Sequence, residues 1–223
     1  MTNTTDVASL DLKKPGEQAI TISGPAGEIE ALLNKPTHNS QRKAVAIICH
    51  PHPLHGGSMN NKVVYTIGKA FNNIGVPSIR FNFRGVGKSA GVFANTIGET
   101  DDTLAVIAFA RQIYPDHQIW LSGFSFGAYV SLRVTQSYNV DQLITVAPAV
   151  NLYDLHDYRP TDCPWLLIQG ADDEIVPVEA VENWISTLEP RPKLQLLENT
   201  GHFFHGKLLE LREQIEDHLR KHN

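Results

Sequence analysis

Residues 120–130 read WLSGFSFGAYV, and within them Gly123 to Gly127 fit the pattern G-x-S-x-G, set between a run with strand character and a run with helix character. A serine on so tight a strand-to-helix turn is held in strained geometry with its hydroxyl projecting from the sheet. The flanking positions must lack side chains for the turn to close. Gly123 and Gly127 meet that requirement and make Ser125 the candidate nucleophile. The plain alternative is a glycine-rich turn that happens to hold a serine, so the decision rests on what the rest of the chain brings to the same place.

Outward from this turn the chain alternates. The short apolar runs AVAIICH (44–50), VPSIRFNF (76–83), QIWLSGF (118–124), QLITVAPAV (142–150), PWLLIQG (164–170) and KLQLLEN (193–199) are separated by stretches that suit helices. These are expected near 60–74, 98–114, 126–138, 178–188 and 205–221. Such alternation predicts a parallel sheet covered on both faces. Ahead of it, QAITIS and EIEALLN alternate around the turn GPAGE and predict an antiparallel pair at one edge. Residues 1–16, polar and aperiodic, are expected to form a flexible N-terminal tail, with residues 17–223 as a single domain.

Nineteen Lys and Arg against 24 Asp and Glu give a formal charge of -5, which offers no field to draw phosphate backbones or anionic lipid. Neither nucleic acid nor a membrane is expected as a partner. Cys49 and Cys163 lie far apart and form no C-x-x-C pair, so both read as buried small hydrophobes in a reducing compartment. The first residues lack the basic start and apolar core of a secretory signal. No run approaches the ~20 residues of a membrane span, and the expected location is the cytoplasm.

Two loops supply what Ser125 lacks. IQGADDEIVP (168–177) puts Asp172 and Asp173 just past one predicted strand, and ENTGHFF (198–204) puts His202 just past the next. Strand-to-helix loops deliver both to the sheet edge that carries Ser125. A serine hydroxyl is a poor nucleophile at neutral pH; it needs a base within hydrogen-bond reach, and the base needs a carboxylate to fix its tautomer. Other acids, Glu99, Asp101 and Asp102, crowd the first turn of the 98–114 helix and read as capping groups, with Arg84 as a partner.

On these residues the chain resembles the α/β-hydrolase superfamily, from residue 19 to the C-terminus. The resemblance implies a mostly parallel, eight-stranded α/β-hydrolase sheet with helices on both faces and no bound cofactor. GFSFG is similar to the nucleophile elbow, GADDEIVP to the G-x-x-D-x-[IV]-V-P acid loop and GHFF to the histidine loop. By that likeness Ser125, Asp173 and His202 are the catalytic triad, since the aspartate four residues before Pro177 is Asp173. HPHPLHGG (50–57) and NFRGVGKSAG (82–91) are most similar to small lidless relatives of dienelactone hydrolase, although Ser125 stands where that enzyme has a cysteine.

The stretch CHPHPLHGGSMNNK (49–62) admits two readings. His50, His52 and His55 have the H-x-H-x-x-H spacing of a metal-binding run like that of metallo-β-lactamases, with Leu54 where that family has an aspartate. In the α/β-hydrolases, by contrast, the loop after this strand donates one N–H of the oxyanion hole. Proline has no N–H, so Pro51 and Pro53 leave His52 as the residue between them able to donate, with Phe126 as the second donor. No metal is expected on this reading. The rivals are a metal-dependent hydrolase using the three histidines and a non-catalytic binding protein on a hydrolase fold. Segment 151–163 is too short for a helical lid and implies an open, shallow pocket. Phe124, Phe126, Phe203 and Phe204 are candidates for its acyl wall, or for the core. The expected activity is a carboxylesterase or thioesterase acting on a small-molecule acyl substrate through an acyl-enzyme.

Overall fold

A computed structural model describes residues 5, 7, 10–38 and 42–221. Eight strands, β1 (Gly16–Gly24), β2 (Gly27–Lys35), β3 (Ala44–Cys49), β4 (Ser78–Phe81), β5 (Gln118–Phe124), β6 (Gln142–Val146), β7 (Trp165–Gly170) and β8 (Lys193–Leu197), form one sheet. Its order is β1-β2-β4-β3-β5-β6-β7-β8. β1 and β2 pair antiparallel, as does β2 with β4, and every pairing from β4 to β8 is parallel. The sheet is therefore mixed at the β1-β2 edge and parallel elsewhere.

Period-two alternation divides each central strand between two cores. From β3, Val45, Ile47 and Cys49 face one apolar cluster, whereas Ala44, Ala46 and Ile48 face the other. Burial on both faces is why these runs are apolar throughout. Helices α2 (Ile97–Ile113), α3 (Phe126–Thr135) and α4 (Val178–Ser186) cover the first face, with Val106, Ala110, Val130 and Val181 inward. Helices α1 (Lys62–Asn73) and α5 (Leu208–Lys221) cover the second, with Ile67, Phe71, Leu211 and Ile215 inward. None of the described helices is long and apolar enough to cross a membrane.

The expectation of a tail over residues 1–16 needs correction. Strand β1 already includes Gly16, Leu10 is 9% exposed, and Val7 and Leu12 pack against the first core. The Thr5 N–H donates to the Thr21 carbonyl at 2.8 Å, and the Thr21 N–H returns to Thr5 Oγ1 at 2.7 Å. Sparse apolar residues at 7, 10 and 12 carry no periodicity, which hid their packing. Residues 1–4, 6, 8 and 9 of that segment lie outside the described residues. Of the two cysteines Cys49 is buried, but Cys163 is only half-buried.

Topology places the site. The chain runs β3, α1, β4 to one side and then returns over β3 through α2 to β5, so strand order reverses around β3. A crevice opens outside the carboxyl ends of the strands at such a switch point. The loops leaving β3, β5, β7 and β8 all emerge at that edge.

Candidate active site

Ser125 is the single residue between β5 and α3, at φ 54° and ψ −116°. A non-glycine residue there is strained, at a cost of order 1–3 kcal/mol, and persists only where its surroundings fix it. The Ser125 N–H donates to the Val146 carbonyl at 2.9 Å and anchors the turn to β6. A Cβ on Gly123 would lie 2.2 Å from the Gly127 carbonyl oxygen, and one on Gly127 would lie 2.3 Å from the Cys49 carbonyl oxygen and 2.5 Å from that of His50. Both glycines are required by close packing of backbone on backbone. Through Gly127 the start of α3 rests directly on the loop that leaves β3.

That loop carries His52, whose ring centroid is 5.0 Å from that of Phe126. The His52 carbonyl accepts the N–H groups of His55 and Gly57, while its Nδ1 accepts the N–H of Leu54 at 3.2 Å and caps the 3-10 turn Pro53–His55. Among the described residues neither the His52 N–H nor the Phe126 N–H is given to a protein acceptor. Both residues line the same cavity as Ser125, with Phe126 at the first, positive turn of α3.

The three histidines of this stretch do not converge. His50 is fully buried: its Nε2 accepts the Phe83 N–H at 3.0 Å, which leaves Nδ1 protonated to donate to the Pro51 carbonyl at 2.6 Å. Burial pushes its pKa down to about 4, against a smaller upward effect from the Pro51 carbonyl. Its lone pair is committed to backbone, and the ring ties the β3 loop to the β4 loop. His52 and His55 instead stack on each other at 4.4 Å.

His202, in the loop after β8, is 3% exposed. Its Nε2 lies 3.0 Å from Ser125 Oγ, and its Nδ1 lies 2.8 Å from Asp173 Oδ2 and 3.1 Å from Oδ1. Because the carboxylate can only accept, Nδ1 carries the proton, and the lone pair on Nε2 faces the serine hydroxyl. The imidazole is flanked by the rings of Phe124 and Phe203, with centroids 5.1 and 5.2 Å away. The structure thus brings Ser125, His202 and Asp173 into one hydrogen-bonded chain. Asp172 is exposed and engages the β8 loop through its backbone N–H, given to the Thr200 carbonyl.

Asp173 is held by more than His202. Its Oδ1 accepts the N–H groups of Ile175 at 2.9 Å and Val176 at 2.7 Å, and its Oδ2 accepts Gln169 Nε2 at 2.9 Å. Gln169, fully buried in β7, also donates to the Val176 carbonyl at 2.8 Å, which fixes the orientation of its amide. Sequence reasoning missed Gln169; the available signal was a glutamine inside the apolar run PWLLIQG. It also missed Glu174, whose carboxylate accepts the His202 N–H at 3.2 Å. Asp102, expected as a cap, pairs with Arg84 through Nε at 3.0 Å and Nη2 at 2.8 Å. Glu99 caps α2 by accepting the N–H groups of Ala94 and Thr96.

Ser125 and His202 open into a cavity of about 360 Å³. The pocket expected to be open and shallow has an apolar wall: Leu152, Tyr153, Ile175 and Phe203 line it, together with Phe126. Leu152 and Tyr153 come from the irregular segment 151–163, which contains no helix yet contributes these two side chains to the wall. Tyr153 stacks on Tyr129 at 4.6 Å. Of the four expected phenylalanines, Phe126 and Phe203 reach the cavity, whereas Phe124 and Phe204 are fully buried in the second core.

Residues 40–161 match the family model for serine aminopeptidase, S33. The match covers the elbow and the His50–Gly57 loop; the acid and histidine loops lie beyond it. The uncharacterised protein RP471 of Rickettsia prowazekii (strain Madrid E) is 35% identical over 210 residues, which cover 90% of this chain and 87% of that one. The crystal structure of XC6422 from Xanthomonas campestris, an a/b serine hydrolase without lid, matches with a TM-score of 0.90 at 41% identity, over 95% of this chain and 97% of that one. An alpha-beta serine hydrolase homologue from Coxiella burnetii matches with a TM-score of 0.88 at 41% identity, over 98% of each chain.

Proposed function

The chain belongs to the serine aminopeptidase S33 family of α/β serine hydrolases, and from that premise we propose a carboxylesterase or thioesterase acting on small acyl substrates. The observation that carries this reading is the unbroken chain from Asp173 through His202 to Ser125 Oγ at the base of a cavity with apolar walls. His202 Nε2 takes the hydroxyl proton as Ser125 Oγ attacks the acyl carbonyl. The oxyanion that forms is received by the N–H groups of His52 and Phe126. The imidazolium, stabilised by Asp173, then protonates the leaving alkoxide or thiolate, and water activated by the same imidazole releases the acid from the acyl-enzyme.

The cavity itself favours a neutral acyl substrate over a peptide bearing a free amino terminus. Among the described residues that line it there is no carboxylate to receive an ammonium group. Treatment with a fluorophosphonate followed by intact-mass measurement is expected to give one adduct on the wild type and none on Ser125→Ala. p-Nitrophenyl acyl esters are expected to be cleaved much faster than aminoacyl anilides. An undiminished adduct on Ser125→Ala, or preferred cleavage of the anilides, would overturn the respective part of the reading.

A further inference from the structure

At the opposite end of the sheet, β4, β3 and β5 begin side by side, and the residues that lead into them enclose a second cavity of about 470 Å³. Lys13, Lys35, Arg42 and Lys43 line it together with His117, and among the described lining residues there is no carboxylate. So many cations in one cavity stand out on a chain of formal charge -5. Strand β5 has seven residues, which at about 3.3 Å per residue separates this cavity from the elbow by roughly 20 Å.

Lys35 is the unusual member. In β2, Ile29, Ala31 and Leu33 form the buried stripe that faces the first core, and Lys35 continues it with 7% of its surface exposed. Its ammonium donates to the Asp11 carbonyl and to Gln18 Oε1, both neutral oxygens, and it forms no ion pair with a described carboxylate. A buried charge is strongly unfavourable unless a counter-charge joins it. Two described carboxylates close to these residues in sequence are directed elsewhere. That of Asp11 accepts the N–H groups of Lys13 and Lys14, and Asp116 is exposed and does not line the cavity. Arg42 lies over the Trp120 ring at 5.6 Å. Burial, and then the charge of Lys43, hold His117 below its ordinary pKa, with Asp116 opposing.

We propose that this cavity binds a small, multiply charged oxyanion of the phosphate-ester or pyrophosphate class, with Lys35 as its buried counter-charge and Lys13, Arg42 and Lys43 around it. The site is independent of the hydrolytic reading, and neither requires the other. The test is calorimetric titration of the full chain with inorganic pyrophosphate at low ionic strength. One site is expected on the wild type and equally on Ser125→Ala. The double variant Lys13→Gln/Lys43→Gln replaces two exposed residues and keeps the fold; its affinity is expected to be at least about tenfold weaker, because charge-assisted hydrogen bonds are lost. Lys35→Met should abolish binding. Absence of binding to the wild type, undiminished affinity in the double variant, or loss of binding in Ser125→Ala would each overturn the proposal.

Discussion

Asp173→Asn removes one charge and replaces one acceptor by a donor, and its consequence follows from the four groups around that carboxylate. Two backbone donors, Ile175 N–H and Val176 N–H, converge on Oδ1. An asparagine must therefore keep its carbonyl there, because the reversed amide would oppose two fixed N–H groups. The new NH₂ then faces both Gln169 Nε2 and His202 Nδ1, where two donors now confront it. Gln169 cannot turn to relieve this, since turning would set its Oε1 against the Val176 carbonyl. His202 relieves it by moving its proton to Nε2, and it then offers Ser125 a donor in place of a base. With the wrong tautomer, turnover is expected to fall on the order of 10⁴-fold, or about 5 kcal/mol of transition-state stabilisation, as the same exchange does in a serine protease. The assay is kcat on a p-nitrophenyl ester at neutral pH, with circular dichroism to establish that the variant is folded and Asp172→Asn as the control. A folded Asp173→Asn enzyme that keeps a tenth of wild-type turnover, or an Asp172→Asn enzyme that is the crippled one, refutes the reasoning.

Gly127→Ala should force the start of α3 away from the Cys49–His50 carbonyls and spoil the paired amides, with a loss of about 10²-fold in kcat, the typical cost of one oxyanion donor. His52→Ala, which keeps the amide, should stay within about tenfold of wild type; the reverse ranking in kcat would show that the imidazole, not the backbone, acts. His50 gives a pH signature: its folded pKa, pushed down to about 4 chiefly by burial, lies below the ordinary value of 6.5. The unfolded chain takes up the proton first as pH falls, so stability is full above about 6.5 and declines by roughly 3 kcal/mol on the way to pH 4. Urea unfolding at pH 7 and pH 4.5 should show a smaller decline for His50→Gln than for wild type, and equal declines would refute the assignment.

The strands and helices were legible because the central runs are buried on both faces, and the meeting of Ser125, Asp173 and His202 because each lies in the loop or turn that follows a predicted strand. Strand order was not, since nothing local tells β4 to pass outside β3. The histidine run was readable only as a choice. Spacing alone could not reveal that His50 spends both nitrogens on the Pro51 carbonyl and the Phe83 N–H, the second of which comes from a loop 33 residues away. Gln169 was hidden inside a strand whose neighbours explained it as core, and Leu152 and Tyr153 inside a segment judged by its length. In each case the missing information was a long-range contact made by a residue whose local context already had an adequate explanation.

The backbone of Ser125 sets stability against the proposed reactivity of its side chain at one position. Glycine would adopt φ 54° and ψ −116° without steric cost, so a search for heat-resistant variants that ignored turnover would drift toward glycine at residue 125. The side chain that stays there is one that durability alone would discard, and the fold around it, from the Val146 carbonyl to the two bare glycines, works as a clamp that keeps it.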